Sequence, residues 1–179
     1  MSKSLHIFTA LLLLLTLVSC KKEKQTDDII VDRVVEKKQN APQAMEDYNI
    51  KNDVKWINGA TYHYDISRHA NSNSVVENHD TKYYDNSVTL TVTRTDGTTF
   101  FQKTFGKENF APVLTQEFKD NGVLLGINFD HIEGNVMYFT VCVGSPDETN
   151  EEFYYVYMTL DNFGTSKALP YTGNMEPIG

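Results

Sequence analysis

The chain has 179 residues with 16 basic and 24 acidic side chains, a net charge of −8, two cysteines, ten tyrosines and ten phenylalanines. That length suits one domain with a sizeable core, and the acidic balance speaks against nucleic acid or an anionic membrane surface as a partner. Two cysteines, one of them assigned another role below, exclude a disulfide scaffold and a zinc cluster built from cysteine.

The first element is the apolar run over residues 5–19, behind a short start whose one positive charge is Lys3. A membrane-crossing helix needs roughly 20 apolar residues, so this run is too short to span a bilayer. A positive start, an apolar stretch and small residues at its end describe an export signal. The four residues Leu17-Val18-Ser19-Cys20 resemble the lipobox of bacterial lipoproteins. The resemblance implies that residues 1–19 are a signal peptide cut just before Cys20, and that Cys20 carries a diacylglycerol as the acylated first residue of the mature chain. Cysteine suits that chemistry because its thiolate is a strong nucleophile near neutral pH. Each buried methylene contributes about 0.8 kcal/mol, and stable anchoring takes more than one acyl chain. The lipid anchor places the protein at the cell envelope, with the periplasmic side of the outer membrane as the expected location. Surface display is the alternative, but "KKEKQTDD" carries only Glu23 before Asp27.

Residues 20–45 read as the acylated cysteine and a flexible tether, rich in charge and poor in aromatics. Its apolar residues Ile29, Ile30, Val31, Val34 and Val35 suggest a short strand docking on the domain. Lys21, Lys22 and Lys24 read as the solvated start of the tether. Residues 46–179 form a single β-rich domain.

Within that domain, Tyr62, Tyr64 and Ile66 alternate with polar residues at the period of a half-buried strand. Residues 87–95 repeat the pattern with Val88, Leu90 and Val92 among threonines. Asp96-Gly97 is the two-residue type I′ hairpin signal, and residues 98–105 return with Phe101 and Phe105 across from Val92 and Val88. In "KENFAPVLTQEFKDNG", Phe110, Leu114 and Phe118 have helical spacing, Pro112 interrupts, and Asn121-Gly122 ends the run, which predicts one broken helix or two short ones. Val123, Leu125, Ile127 and Phe129 then alternate towards one face, Gly134-Asn135 turns the chain, and Met137, Phe139, Val141 and Val143 alternate back. "FYYVYMTL" and a short strand near residues 165–169 close the sequence of strands. The fold class is mainly β: an antiparallel meander, barrel-like or sandwich, with one short broken helix, preceded by the lipoprotein signal and the flexible tether.

The stretches "DDIIVDRVVEKKQ", "DVKWINGATYHYDISRH", "KYYDNSVTLTVTRTDGTTFFQKTF" and "KENF" resemble a group of small Bacteroidetes lipoproteins classed as domains of unknown function. These motifs are strands and a turn. The resemblance therefore implies location and fold without implying a reaction.

Few residues suggest chemistry. His63, His69 and His79 share a stretch with Asp65, Glu77, Asp80 and Asp85, but no two histidines have the spacing that brings two imidazoles to one ion, so they and His131 read as solvated residues rather than metal ligands. Asp147, Glu148, Glu151 and Glu152 lack the spacing of a calcium loop. Cys142, between Val141 and Val143, reads as a packed, unreactive thiol. No serine has the glycine-flanked elbow of a nucleophile. The expectation is a protein that is not an enzyme and takes no cofactor or metal. Aromatic richness remains, and the candidate binding surface is Tyr62, Tyr64, Tyr83, Tyr84, Tyr154 and Tyr155, with one side of the Phe153 strand free for contact or a cavity. Three classes stay open: a protein-binding accessory module on the envelope, a small-ligand carrier with an aromatic-lined β cavity, and a hydrolytic enzyme. The partner is an envelope protein or a small ligand.

Overall fold

The computed structural model describes residues 41–78, 80–147 and 149–173. The signal, Cys20, the 29–35 patch with most of the tether, His79 and Glu148 lie outside the described residues. Eight strands follow one another: β1 (Tyr48–Trp56), β2 (Ala60–Asn78), β3 (Thr81–Arg94), β4 (Thr99–Phe105), β5 (Val123–Glu133), β6 (Val136–Gly144), β7 (Phe153–Asp161) and β8 (Ser166–Pro170). They form two four-stranded antiparallel meanders, sheet 1 (β1–β4) and sheet 2 (β5–β8), each with its strands in chain order. The strands make two sheets and do not close into a barrel.

Between the sheets the chain makes a 3₁₀ turn, Lys107–Val113, and one α-helix, α1 (Gln116–Asn121). Pro112 lies inside the 3₁₀ turn, where it has no amide hydrogen to continue a helical ladder. Phe110 and Leu114 bury their side chains in the core, and Phe118 packs on its edge. No helix among the described residues is long and apolar enough to cross a membrane.

One apolar core serves both sheets. Tyr62, Tyr64 and Ile66 of β2 and Val88, Leu90 and Val92 of β3 line one side, and Met137, Phe139, Val141 and Val143 of β6 with Val156, Met158 and Leu160 of β7 line the other. Each such aliphatic side chain contributes on the order of 1.5–3 kcal/mol by leaving water. The predicted register of the β3–β4 hairpin is present, with Val92 opposite Phe101 and Val88 opposite Phe105.

Its turn differs from the expected type I′ form. The Gly97 amide donates to the Arg94 carbonyl and only Gly97 of the turn has a positive φ, +82°, so the loop has three residues with glycine in the left-handed position. Asp96 keeps an ordinary φ because its carboxylate accepts from both the Thr98 amide and hydroxyl, at 2.9 and 2.7 Å. Strand β5 also departs from simple alternation. Leu124 pairs with Val143 and Gly126 with Cys142, leaving Leu125 unpaired in a β-bulge. Leu124, not Leu125, is therefore the fully buried residue, because one extra residue flips the faces that follow.

Two further features were not legible in the sequence. Strand β1, with Asn49, Lys51, Asp53 and Lys55 along one face, is an edge strand whose charges mask its period. Strands β2 and β3 extend through residues 71–86, with a bulge between Asn71 and Val75. On β3 they meet residue 43: the Gln43 amide donates to the Lys82 carbonyl and the Tyr84 amide to the Gln43 carbonyl, both at 2.8 Å.

The two sheets are tied where β5 passes sheet 1. The Leu124 amide donates to Asp85 Oδ1 at 2.8 Å, and Asn86 Nδ2 donates to the Leu124 carbonyl at 2.9 Å. Arg68 Nη1 donates to the Leu125 carbonyl at 2.6 Å, and the Ile127 amide donates to the Tyr48 hydroxyl at 3.1 Å. Side chains thus occupy the backbone edge of β5 that a ninth strand would otherwise pair, which protects an edge open to aggregation.

Candidate functional site

The two sheets present opposite chemistry to solvent. On sheet 1 the positions that alternate with the core are polar over its central rows: Lys51, Asp65, Thr91 and Gln102 form one row across the strands, and Asn49, Ser67, Thr89 and Thr104 the next, while the exposed Val75 breaks the pattern further along β2. Residues of the two rows bond one another: Lys51 Nζ lies 2.9 Å from Asp65, Asn49 Nδ2 donates to Asp65 at 2.5 Å, and the Thr89 and Thr104 hydroxyls are 2.8 Å apart. His63 and His69 stand at the ends of the same face, each beside an aspartate: His63 Nδ1 is 2.5 Å from Asp53, and His69 Nδ1 is 2.7 Å from Asp47. Both lie on strand β2. Among the described residues no three His, Cys, Asp or Glu side chains converge as metal ligands do.

On sheet 2 the outward positions carry a run of aromatic rings among Thr140, Cys142, Thr159 and Lys167. The His131 ring lies parallel to Tyr138 with centroids 4.5 Å apart. Tyr138 meets Tyr157 edge to face at 5.9 Å, Tyr157 meets Tyr171 at 4.7 Å, Tyr171 meets Tyr155 at 5.7 Å, and Tyr155 meets Phe153 at 5.5 Å. Residues from β5, β6, β7 and the chain after β8 thus make one continuous band of rings. Polar groups thread it. Asp130 Oδ2 lies 3.0 Å from His131 Nδ1, and Asp130 and Tyr171 both act electrostatically on the Tyr157 phenol. Partial burial and then the charge of Asp130 push the Tyr157 phenol above its ordinary value, and burial and then Cys142 do the same for Tyr155.

Of the six tyrosines the sequence singles out, the structure brings only Tyr155 into this band. Tyr62 and Tyr64 are core residues, packed on Trp56 at 5.1 Å and on Phe129 at 5.2 Å. Tyr83 and Tyr84 lie on β3 beside Gln43, and Tyr154 packs on Phe118 at 5.4 Å. Tyr138, Tyr157 and Tyr171 complete the band. The first two had a signal in the sequence, since each sits between two core positions of a strand, whereas Tyr171 follows Pro170 with no periodic cue.

Cys142 shares the outward side. Alternation sends Val141 and Val143 to the core and Cys142 the other way, beneath Tyr155, and burial pushes its thiol up to about 11. In the 145–152 loop, Asp147 Oδ1 accepts from the Thr149 amide and hydroxyl, and Asn150 donates to Glu152, a turn that uses its own acids. Open clefts elsewhere are lined by other residues: one of about 340 Å³ by Glu77, Glu117, Phe118, Ser145 and Glu152, and two of about 550 and 590 Å³ over the polar face of sheet 1. None of these clefts is lined by Tyr138, Tyr155, Tyr157 or Tyr171.

Architecture and surface define a small antiparallel β domain of two meanders, the first with a largely polar outer face and the second with a band of aromatic rings across its outer face. Residues 29–167 match the model of the domain of unknown function DUF4738, and the chain belongs to that family. No curated protein matches the chain.

Proposed function

We propose that this chain is a bacterial envelope lipoprotein of the Bacteroidetes type, anchored through an acylated Cys20, and that its domain is a protein-binding accessory module without catalysis. The observation that carries the association reading is the aromatic band on the outer face of sheet 2. Tyrosine is enriched where proteins bind, because its ring supplies rigid apolar area while its hydroxyl stays satisfied. The polar face of sheet 1 shows how the same chain builds a surface meant for water. Anchoring supports the reading as well, since it holds a weak binder at high local concentration near envelope partners. The aromatic groups outside the core form an open face, which favours a macromolecular partner over a small ligand held in a cavity.

The test is pull-down from detergent-solubilised envelopes with the full chain. The account expects one or more envelope proteins to be retained. Failure of any protein to be retained, with turnover of a substrate by the purified chain, overturns it in favour of an enzyme.

A further inference from the structure

We infer that β1 is a self-complementary edge, on which a second copy of this chain pairs antiparallel about a twofold axis through Asn52. The strand reads Tyr48-Asn49-Ile50-Lys51-Asn52-Asp53-Val54-Lys55-Trp56. Turned end for end about Asn52, it sets Lys51 opposite Asp53 of the second copy, and Asp53 opposite Lys51 of the second copy. Ile50 then meets Val54, Asn49 meets Lys55, and Asn52 meets its own counterpart. Residues opposite one another in an antiparallel ladder share a face, and each of these pairs joins odd with odd or even with even. Other registers on the same strand are penalised. A centre on Lys51 sets that lysine against itself; a centre on Asp53 sets aspartate against aspartate and Lys51 against Lys55. Like charges directly opposite are destabilising, so the order Lys, Asp, Lys along β1 selects one register, and that register is the isologous contact a closed dimer uses.

The free side of β1 also has apolar surface to cover. β1 ends sheet 1 and pairs with β2 alone among the strands. Ile50 lies opposite the fully buried Ile66, which puts it on the core side of the sheet, yet it is 38% exposed. Val54, opposite Tyr62 on the same side, is only partly buried against the core. On the outer side Lys51 lies beside Asp65 and Asp53 beside His63, and both side chains stay more than half exposed. The other edges lack this symmetry: β4 and β8 carry one charge each, Lys103 and Lys167, and β5 is occupied by side chains of sheet 1. Pairing at β1 joins two four-stranded sheets into one of eight strands. A contact of one strand pair is small, so the dimer is weak and depends on concentration. It involves none of the aromatic band on sheet 2.

The full chain in detergent micelles, at on the order of 100 μM, is expected to sediment as a reversible dimer. Asn52 sits on the axis, so its two copies have Cα atoms about 4.5 or 5.5 Å apart, a separation that a disulfide spans. Asn52→Cys is therefore expected to form a covalent dimer under mild oxidation, well ahead of Gln102→Cys on β4 and of the natural chain with its own two cysteines. Lys51→Asp sets like charges opposite at both symmetric pairs and is expected to weaken the dimer about tenfold. Combining Lys51→Asp with Asp53→Lys exchanges the two charges and is expected to restore it. Unfolding transitions establish that each variant is folded. A monomeric chain in which Asn52→Cys links no faster than Gln102→Cys overturns the inference. So does a dimer whose affinity is unchanged in Lys51→Asp, or one that the exchanged pair fails to restore, since another surface then holds the copies together. Capture of envelope proteins through sheet 2 is read separately, so either reading can fail alone.

Discussion

Asp85 Oδ1 accepts the Leu124 amide at 2.8 Å across the junction of the two sheets. The same oxygen accepts the Asn86 amide at 2.7 Å, and the residue is 3% exposed. A strand edge that has no neighbouring strand is thereby satisfied by a side chain from the other sheet. Asp85→Ala leaves the Leu124 amide buried without an acceptor, and a loss of about 1–3 kcal/mol is expected in urea unfolding.

The same carboxyl makes stability depend on pH. Burial raises its pKa above the ordinary 3.8, against the opposing pull of the Leu124 and Asn86 amides. The folded state therefore holds this proton to higher pH than the unfolded chain. Asp85's contribution is largest below about 3.8, falls as pH rises towards the folded value, and is flat above it. Asp85→Asn retains an oxygen for the Leu124 amide and removes the titration. The stability of the natural chain relative to Asp85→Asn is expected to fall with rising pH in that window, and a difference independent of pH contradicts the assignment.

Cys142 is expected to react slowly. A thiol held near 11 is ionised to roughly one part in ten thousand at pH 7, and the thiolate is the reactive form. Labelling of the native chain with an aqueous maleimide is expected to be slow at pH 7 and to rise about tenfold per pH unit, with rapid labelling after unfolding. Fast native labelling at pH 7 contradicts the cover that Tyr155 provides.

Gly97 is the turn position that needs glycine, with φ at +82° and nothing within 4 Å of an added Cβ. Gly97→Ala meets no clash, so its cost is conformational, about 1 kcal/mol. A stabilising effect in thermal unfolding contradicts the left-handed assignment.

Cys20 is testable by chemistry alone. Expression with labelled palmitate in a lipoprotein-processing host is expected to label the natural chain, while Cys20→Ser carries no label and leaves the membrane fraction. Persistent labelling of the variant contradicts the anchor.

Legibility of the fold followed the regularity of each element. Val88, Leu90 and Val92 alternate with threonines without interruption, so both the strand and its pairing with Phe101 and Phe105 could be read. The bulge at Leu125 could not, because Val123, Leu125, Ile127 and Phe129 give a cleaner alternation than the one adopted, and Asp85 and Asn86, distant in sequence, help hold Leu124 in place. Strand β1 was hidden by charges suited to an edge. At the site, tyrosine richness was legible but its distribution only in part. Tyr138 and Tyr157 could have been placed outward by the core positions that flank them, whereas Tyr171, after Pro170, joins the band only through the packing of the chain beyond β8.

The most direct test of the account replaces Tyr138, Tyr155 and Tyr157 with serine in one full chain, and Ser67, Thr91 and Gln102 with alanine in another, and compares envelope-protein capture. Truncation of an aromatic anchor at an interface costs about 2 kcal/mol or more, roughly thirtyfold in affinity per residue. With both variants shown to be folded by their unfolding transitions, the account predicts that capture is lost in the first and kept in the second. Capture kept by the tyrosine variant, or lost by the sheet 1 variant, contradicts it.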